Sequence, residues 1–202
     1  RLPPRSTLFP YTTLFRSYDN ESRRSDLRAD WGFACLIEAH GARMLFDTGT
    51  DGALLLENMA RLAISPESID EVFLSHVHYD HIGGLSAFLG ENGRATIYAP
   101  SSLRGIRPAR EVIYIDEKSR GLRARVHSTG LLQGIEQSLI AEGERGLIVV
   151  VGCSHPGVGA ILQRAEEFGR PYALVGGLHG FEDYDVLDNQ TGRAHVCTSY
   201  QT

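Results

Sequence analysis

The stretch SHVHYDHIGG, Ser75 to Gly84, constrains this chain most: His76, His78, Asp80 and His81 fall within six residues, directly behind the apolar run Val72-Phe73-Leu74. An apolar run that ends in such a cluster reads as a buried strand delivering polar side chains at its end. In an extended segment residues two apart share a face, so His76 and His78 are expected to point at one metal. Asp80 and His81 follow where the chain turns, and Gly83-Gly84 is expected to let the backbone turn tightly. Two ligand pairs then leave one strand end, offset to serve two adjacent cations. Imidazole nitrogen with carboxylate oxygen suits zinc, manganese or iron better than calcium or magnesium. A solvated loop with chance histidines is the bland alternative. Three of the eight histidines beside one acid make it the poorer reading.

At 202 residues the chain suits one domain with a sizeable core. A net charge of -5 and a pI near 5.9 argue against a nucleic-acid footprint. Lys118 is the single lysine among 20 basic residues, a usage bias that carries little functional weight. Cys35, Cys153 and Cys197 stand far apart and make neither a CxxC zinc motif nor a disulfide framework, which fits a reducing cytoplasm. The longest aliphatic run, Leu147 to Val151, is far too short to span a bilayer, so no membrane partner is expected.

Taken in order, Gly32 to Glu38 and Arg43 to Phe46 read as strands joined by a turn at His40-Gly41, with His40 a turn residue. Leu55, Met59, Leu62 and Ala63 recur at helical spacing, predicting a helix over about 52–63. Strand Glu71 to Ser75 leads into the histidine cluster, and a short helix with Leu85, Phe88 and Leu89 inward follows Gly84. Further strands are expected at Ala95–Ala99, Glu111–Ile115, Arg123–Ser128 and Ser138–Glu142. Arg104, Arg107 and Arg110 lie between two of these and read as a solvated loop rather than a phosphate grip. His127 reads as a strand residue. The unbroken apolar run Leu147–Val151 predicts a central strand covered on both faces. Val158, Ile161, Leu162, Ala165 and Phe168 form a helical stripe, and Tyr172–Val175 is the next strand. Alternating strands and helices with polar loops at strand ends imply a layered α/β fold.

His76-Val77-His78-Tyr79-Asp80-His81 resembles the HxHxDH signature of the metallo-β-lactamase superfamily, and more of the chain agrees. LFDTG (Leu45 to Gly49) looks like the superfamily's strand-end Asp motif. GCSHPG (Gly152 to Gly157) and GGLHG (Gly176 to Gly180) look like its later ligand loops. In that wording they are most similar to the dihydropterin ribofuranosyl-aminobenzene phosphate synthase-like branch. The resemblance covers about Tyr18 to Leu187. It implies an αββα sandwich and a metal-dependent hydrolase or transferase with a small phosphorylated or pterin-like substrate. It also assigns His76, His78 and His155 to one metal and Asp80 and His81 to a second, zinc being favoured over manganese or iron, with one or two ions bound. A water on such a metal ionises near neutrality and becomes a nucleophile. Asp80 and His179 are the implied catalytic residues. His179 stands where the superfamily places a bridging Asp, and an imidazole with one lone pair cannot bridge two cations. It therefore either joins the metal ligands or contacts substrate. Asp47 is expected to orient a histidine without touching metal. Cys153 reads as a small buried residue at a strand end rather than a soft ligand. The competing reading is a metal- or ligand-binding module without turnover, or a phosphodiesterase.

Both ends read differently. Arg1–Ser17 has no periodicity, and TLFPYTTLFRS (Thr7 to Ser17) resembles a translated sequencing adapter, so native sequence is expected over Tyr18–Thr191 as one domain. Gly192–Thr202 is expected to be a similar artefact or a disordered tail. The fold is then truncated at both ends. His195 within HVCT is a minority ligand candidate.

Overall fold

The apolar runs become inner strands of two six-stranded sheets. The computed structural model describes residues 12–20, 24–178 and 195–198. The structure divides into two compact units, Arg1–Tyr114 and Ile115–Thr202.

In the first unit β1 (Thr12–Tyr18), β2 (Ala34–Ala39), β3 (Ala42–Phe46), β4 (Glu71–Phe73), β5 (Thr96–Pro100) and β6 (Glu111–Ile115) lie in sequence order. The first three pair antiparallel. The β2–β3 hairpin turns at His40 (φ 48°) and Gly41 (φ 78°), the pair of left-handed residues that a tight hairpin of this twist requires. β3, β4 and β5 are parallel neighbours, so helices must carry the chain across between them. The first crossover is α1 (Gly52–Arg61), capped by the Asp51 carboxylate, which accepts from Ala53 N (2.7 Å) and Leu54 N (3.2 Å). Its Leu55 and Met59 are buried, as the spacing predicts, with Leu54 beside them, but the helix ends at Arg61, and Ala63 lies beyond it, exposed and left-handed (φ 56°). The second carries α2 (Tyr79–Ile82) and α3 (Leu85–Glu91), the latter burying Leu85, Phe88 and Leu89.

The second unit runs β7 (Arg120–Arg123), β8 (Val126–Ser128), β9 (Leu139–Glu142), β10 (Leu147–Val151), α4 (Val158–Ala165), β11 (Pro171–Gly176) and β12 (His195–Thr198), in sheet order β12-β11-β10-β9-β8-β7. All five β10 residues are buried, and α4 packs Val158, Ile161, Leu162 and Ala165 into the same apolar cluster. The strand expected over Arg123–Ser128 is instead split between β7 and β8. Arg125 adopts φ 62° there, and a left-handed residue turns the chain back on itself.

At the ends the structure adds pairing that no sequence pattern suggests: Thr12–Tyr18 pairs with β2 from Thr12↔Ala39 to Tyr18↔Ala34. The cause is the edge of β2, whose backbone groups need partners that the β-prone Thr-Thr-Leu-Phe segment supplies. Asn58, buried on α1, donates from one amide to Ser17 O (3.0 Å) and Arg28 O (2.8 Å), tying the strand to the helix. Deleting residues 1–17 is therefore expected to lower the melting temperature by several degrees, a loss of about 1–3 kcal/mol. An unchanged thermal melt would show that β1 adds nothing. Likewise His195–Thr198 forms β12, parallel to β11 from Ala173↔His195 to Gly176↔Thr198, where β11 otherwise leaves an open edge. Among the described residues no helix is long and apolar enough to cross a membrane.

Candidate metal centre

Because β3 and β4 run parallel in the register Phe46↔Phe73, their C-terminal ends emerge side by side. This places Asp47 beside Ser75, at the sheet edge where α/β folds hold their ligands. Asp47 is fully buried with φ 53°, a left-handed conformation that Asp tolerates better than most residues. Its Oδ1 accepts from Ser75 N (2.7 Å), and its Oδ2 from Ser75 Oγ (2.7 Å). The same Oδ2 lies 2.7 Å from His81 Nδ1. Burial pushes the Asp47 carboxyl up, against the lowering by His81 and Ser75.

The hydrogen bonds set the tautomers. Nδ1 of His81 carries the proton donated to Asp47, so Nε2 keeps its lone pair. Ser75 Oγ spends its one proton on Asp47, and His76 Nδ1, 2.8 Å from that Oγ, must then donate to it. One carboxylate thus turns both imidazoles so that Nε2 is the nitrogen able to bind a cation, the arrangement that metal-binding histidines use. His76 and His81 are buried with ring centroids 4.1 Å apart, and the exposed His78 ring lies 4.6 Å from His76. Asp80 Oδ2 is 3.4 Å from His81 Nε2. Burial opposes ionisation of Asp80, and only a His81 protonated at Nε2 as well would outweigh it, its hydrogen bond and charge then holding the carboxyl down at about 2.

The first unit therefore brings His76, His78, Asp80 and His81 together with Asp47, by a route that differs from the strand argument. β4 stops at Phe73, and Tyr79–Ile82 is a helical turn rather than extended chain. Nor do Gly83 and Gly84 serve by unusual torsion, for their φ values are -59° and -79°. They serve by lacking Cβ: one at Gly83 would meet Thr50 O at 2.3 Å, and one at Gly84 would meet Thr48 O at 2.3 Å. The Asp47-Thr48-Gly49 corner fits against them, with Thr48 donating to His81 O from both N (2.8 Å) and Oγ1 (2.9 Å).

In the second unit β10 and β11 are also parallel, in the register Val151↔Gly176, and release the loop Gly152–Gly157 at their shared end. Cys153 is buried and His155 half-buried there, with Ser154 at φ 62°. Holding a non-glycine residue left-handed costs about 1–3 kcal/mol unless its surroundings determine it. Ser154 Oγ donates to Gly177 O (2.7 Å), and Gln133 Nε2 to Pro156 O (3.1 Å). The fully buried Glu136 accepts from Gly152 N (2.9 Å), Cys153 N (3.1 Å) and Ser154 N (3.1 Å) at Oε1, and from His155 N (3.0 Å) at Oε2. Sequence reasoning missed Glu136. No local signal marks it, since Glu136 sits in the polar stretch Gln133-Gly134-Ile135-Glu136-Gln137-Ser138, and its burial comes only from the fold. His127 does lie in a strand, its Nε2 2.9 Å from Glu142 Oε1. His195 begins β12, and His179 lies outside the described residues.

Comparison with known proteins agrees with this frame. The model of the Metallo-beta-lactamase superfamily matches residues 32–167. The chain is 28% identical over 203 aligned positions to a 7,8-dihydropterin-6-methyl-4-(beta-D-ribofuranosyl)-aminobenzene-5'-phosphate synthase of Methanocaldococcus jannaschii, covering 73% of this chain and 69% of that protein. To a ribonuclease Z of Bacillus subtilis it is 24% identical over 145 positions, covering 69% of this chain but 43% of that enzyme. The crystal structure of Tm1679, a metal-dependent hydrolase of the beta-lactamase superfamily, superposes with a TM-score of 0.71 at 23% identity, covering 93% of this chain and 89% of that one, and shares its fold.

Proposed function

The chain belongs to the metallo-beta-lactamase superfamily, and from that premise we propose a metal-dependent hydrolase or transferase of small phosphorylated or pterin-like molecules in the cytoplasm. The observation that carries this reading is the Asp47 network. A buried carboxylate that orients His76 through Ser75, and His81 directly, prepares two Nε2 atoms and an ionised Asp80 as a nitrogen-and-oxygen donor set. That set fits a divalent cation of the zinc, manganese or iron type. His78 is the further candidate ligand on this unit; the resemblance adds His155 to the ligands and gives His179 a role toward substrate or a second cation.

A divalent metal held there supplies Lewis acidity and brings the ionisation of a water near neutrality. The chain's own residues do the rest. Asp47 and Ser75 hold the imidazoles in their ligating tautomer, so no proton has to move before a cation enters. Asp80, whose carboxylate lies beside His81 Nε2, offers oxygen and negative charge to an entering cation. Similarity to the dihydropterin-related synthase supports a small phosphorylated substrate, as does the net charge of -5, which disfavours nucleic acid.

The test is metal uptake with turnover. Stripped with chelator and titrated with zinc, the chain should bind at least one equivalent and hydrolyse a generic phosphodiester or phosphomonoester only when loaded. His76→Ala should lower zinc affinity by more than the about 10–100-fold typical of losing an outer partner of a metal ligand. Wild-type zinc affinity in that variant would reject the assignment. Tight zinc without turnover on either ester would favour a binding module.

A further inference from the structure

We infer that Glu136 is the positioning residue of the His155 loop, acting as an internal anion around which the backbone of Gly152–His155 is wrapped. This rests on the reading of His155 as a metal ligand. Four successive N–H groups, from Gly152 to His155, converge on one carboxylate at 2.9–3.1 Å. Successive amides can face one point only where the torsions alternate in hand, and the left-handed Ser154 supplies that alternation. The arrangement is the concavity proteins build for bound anions, here filled by the chain's own side chain.

Delivery of Glu136 is equally specific. Gln133 (φ 54°) and Gly134 (φ 71°) form a tight left-handed turn closed by Ile135 N donating to Leu132 O (3.0 Å). Leu132 N then donates to Glu136 O (2.8 Å), so Glu136 leaves the turn in a fixed direction, three residues ahead of β9. Gln133, in the same turn, donates to Pro156 O on the far side of the loop (3.1 Å). The turn thus grips the loop at both ends. A carboxylate buried at this depth is stabilised only by donors aimed at it, and these four are the loop's own amides. The loop conformation and the buried charge therefore require each other, and His155 takes its place as the last of the four.

The experiment pairs amide exchange with zinc binding. In the wild-type chain the amides of residues 152–155 should exchange as slowly as those of β10. Rapid exchange there overturns the anchor outright, whatever any variant does. In Glu136→Gln one acceptor oxygen remains but the charge is lost and the side-chain N–H₂ opposes the N–H of His155, so the amides of residues 152–155 should exchange faster, His155 by at least about tenfold, while β10 and the first unit stay unchanged. Zinc affinity should fall about 10–100-fold, as for other residues that orient a ligand. Glu136→Asp, which keeps the charge but shortens the reach, should recover part of both, and it carries the comparison if the Gln variant does not fold. In a His155→Ala background Glu136→Gln should cost no further zinc affinity, a non-additivity that a general loss of stability would not produce. Faster exchange with unchanged zinc affinity in the Glu136 variants would reduce Glu136 to a structural group. If His155→Ala itself leaves zinc affinity intact, the ligand assignment fails while the exchange arm still judges the anchor.

Discussion

Asp47→Ala should destabilise the metal-free chain by about 3–5 kcal/mol, the range seen when one member of a buried charged network is removed. The size follows from what is left behind: Ser75 N–H, Ser75 O–H and the His81 Nδ1 proton would lose their shared acceptor in a site with no exposure. Each unpaired buried donor costs about 1–3 kcal/mol before any relaxation. Both imidazoles also lose what selects their tautomer, so zinc affinity should fall by about 10–100-fold in whatever fraction remains folded. Asp47→Asn separates the two effects. It keeps the volume and one acceptor, so it should cost less stability yet still disturb His81 or Ser75 with its own N–H groups. Urea denaturation of the stripped protein and zinc titration of both variants provide the measurement. A stable Ala variant with wild-type zinc affinity would show that the network does not organise the site.

Gly32→Ala should be nearly as damaging, at about 2–5 kcal/mol, although it adds one methyl group far from the histidines in sequence. Gly32 has φ 122°, which side-chain-bearing residues rarely adopt. Its Cβ would stand 2.2 Å from the Asp80 carbonyl oxygen and 3.2 Å from Gly49 Cα, and neither backbone atom can swing aside as a side chain would. The same carbonyl accepts from Phe33 N (3.2 Å), so displacing it moves the peptide between Asp80 and His81. Thermal melts should therefore drop and zinc affinity should fall together. Gly90→Ala is the internal control: it lies within α3, a Cβ there meets nothing within 4 Å, and the substitution should be neutral or stabilising by up to about 1 kcal/mol. Equal effects at both glycines would mean that the close approach at Gly32 is not what matters.

Much of the scaffold follows from local pattern. The helical spacing of Leu55 and Met59 became the buried face of α1, and the apolar run Leu147–Val151 became the wholly buried β10. Such elements are legible because amphipathic period and apolar length are properties of neighbouring residues. The histidine cluster was legible too, since four ligating side chains within six residues need no tertiary argument to stand out. Its local geometry was not: the strand ends at Phe73, and the pair Gly83-Gly84 is needed for space against Thr48 and Thr50 rather than for torsion.

What the sequence determined by itself was the set of elements and the chemical kind of the site, because periodicity and ligand type are written in adjacent residues. What only the tertiary structure decided was who holds the ligands in place. Asp47 meets His81 across 34 positions, and Glu136 meets the His155 backbone across 19. The same holds at the end of the first sheet, where Thr12–Ser17 has no pattern of its own and becomes a strand only because the edge of β2 is there to pair with it. In each case the deciding partner is a buried carboxylate or an open strand edge, and its effect exists only once parallel strands and their crossovers have brought distant segments within hydrogen-bonding distance.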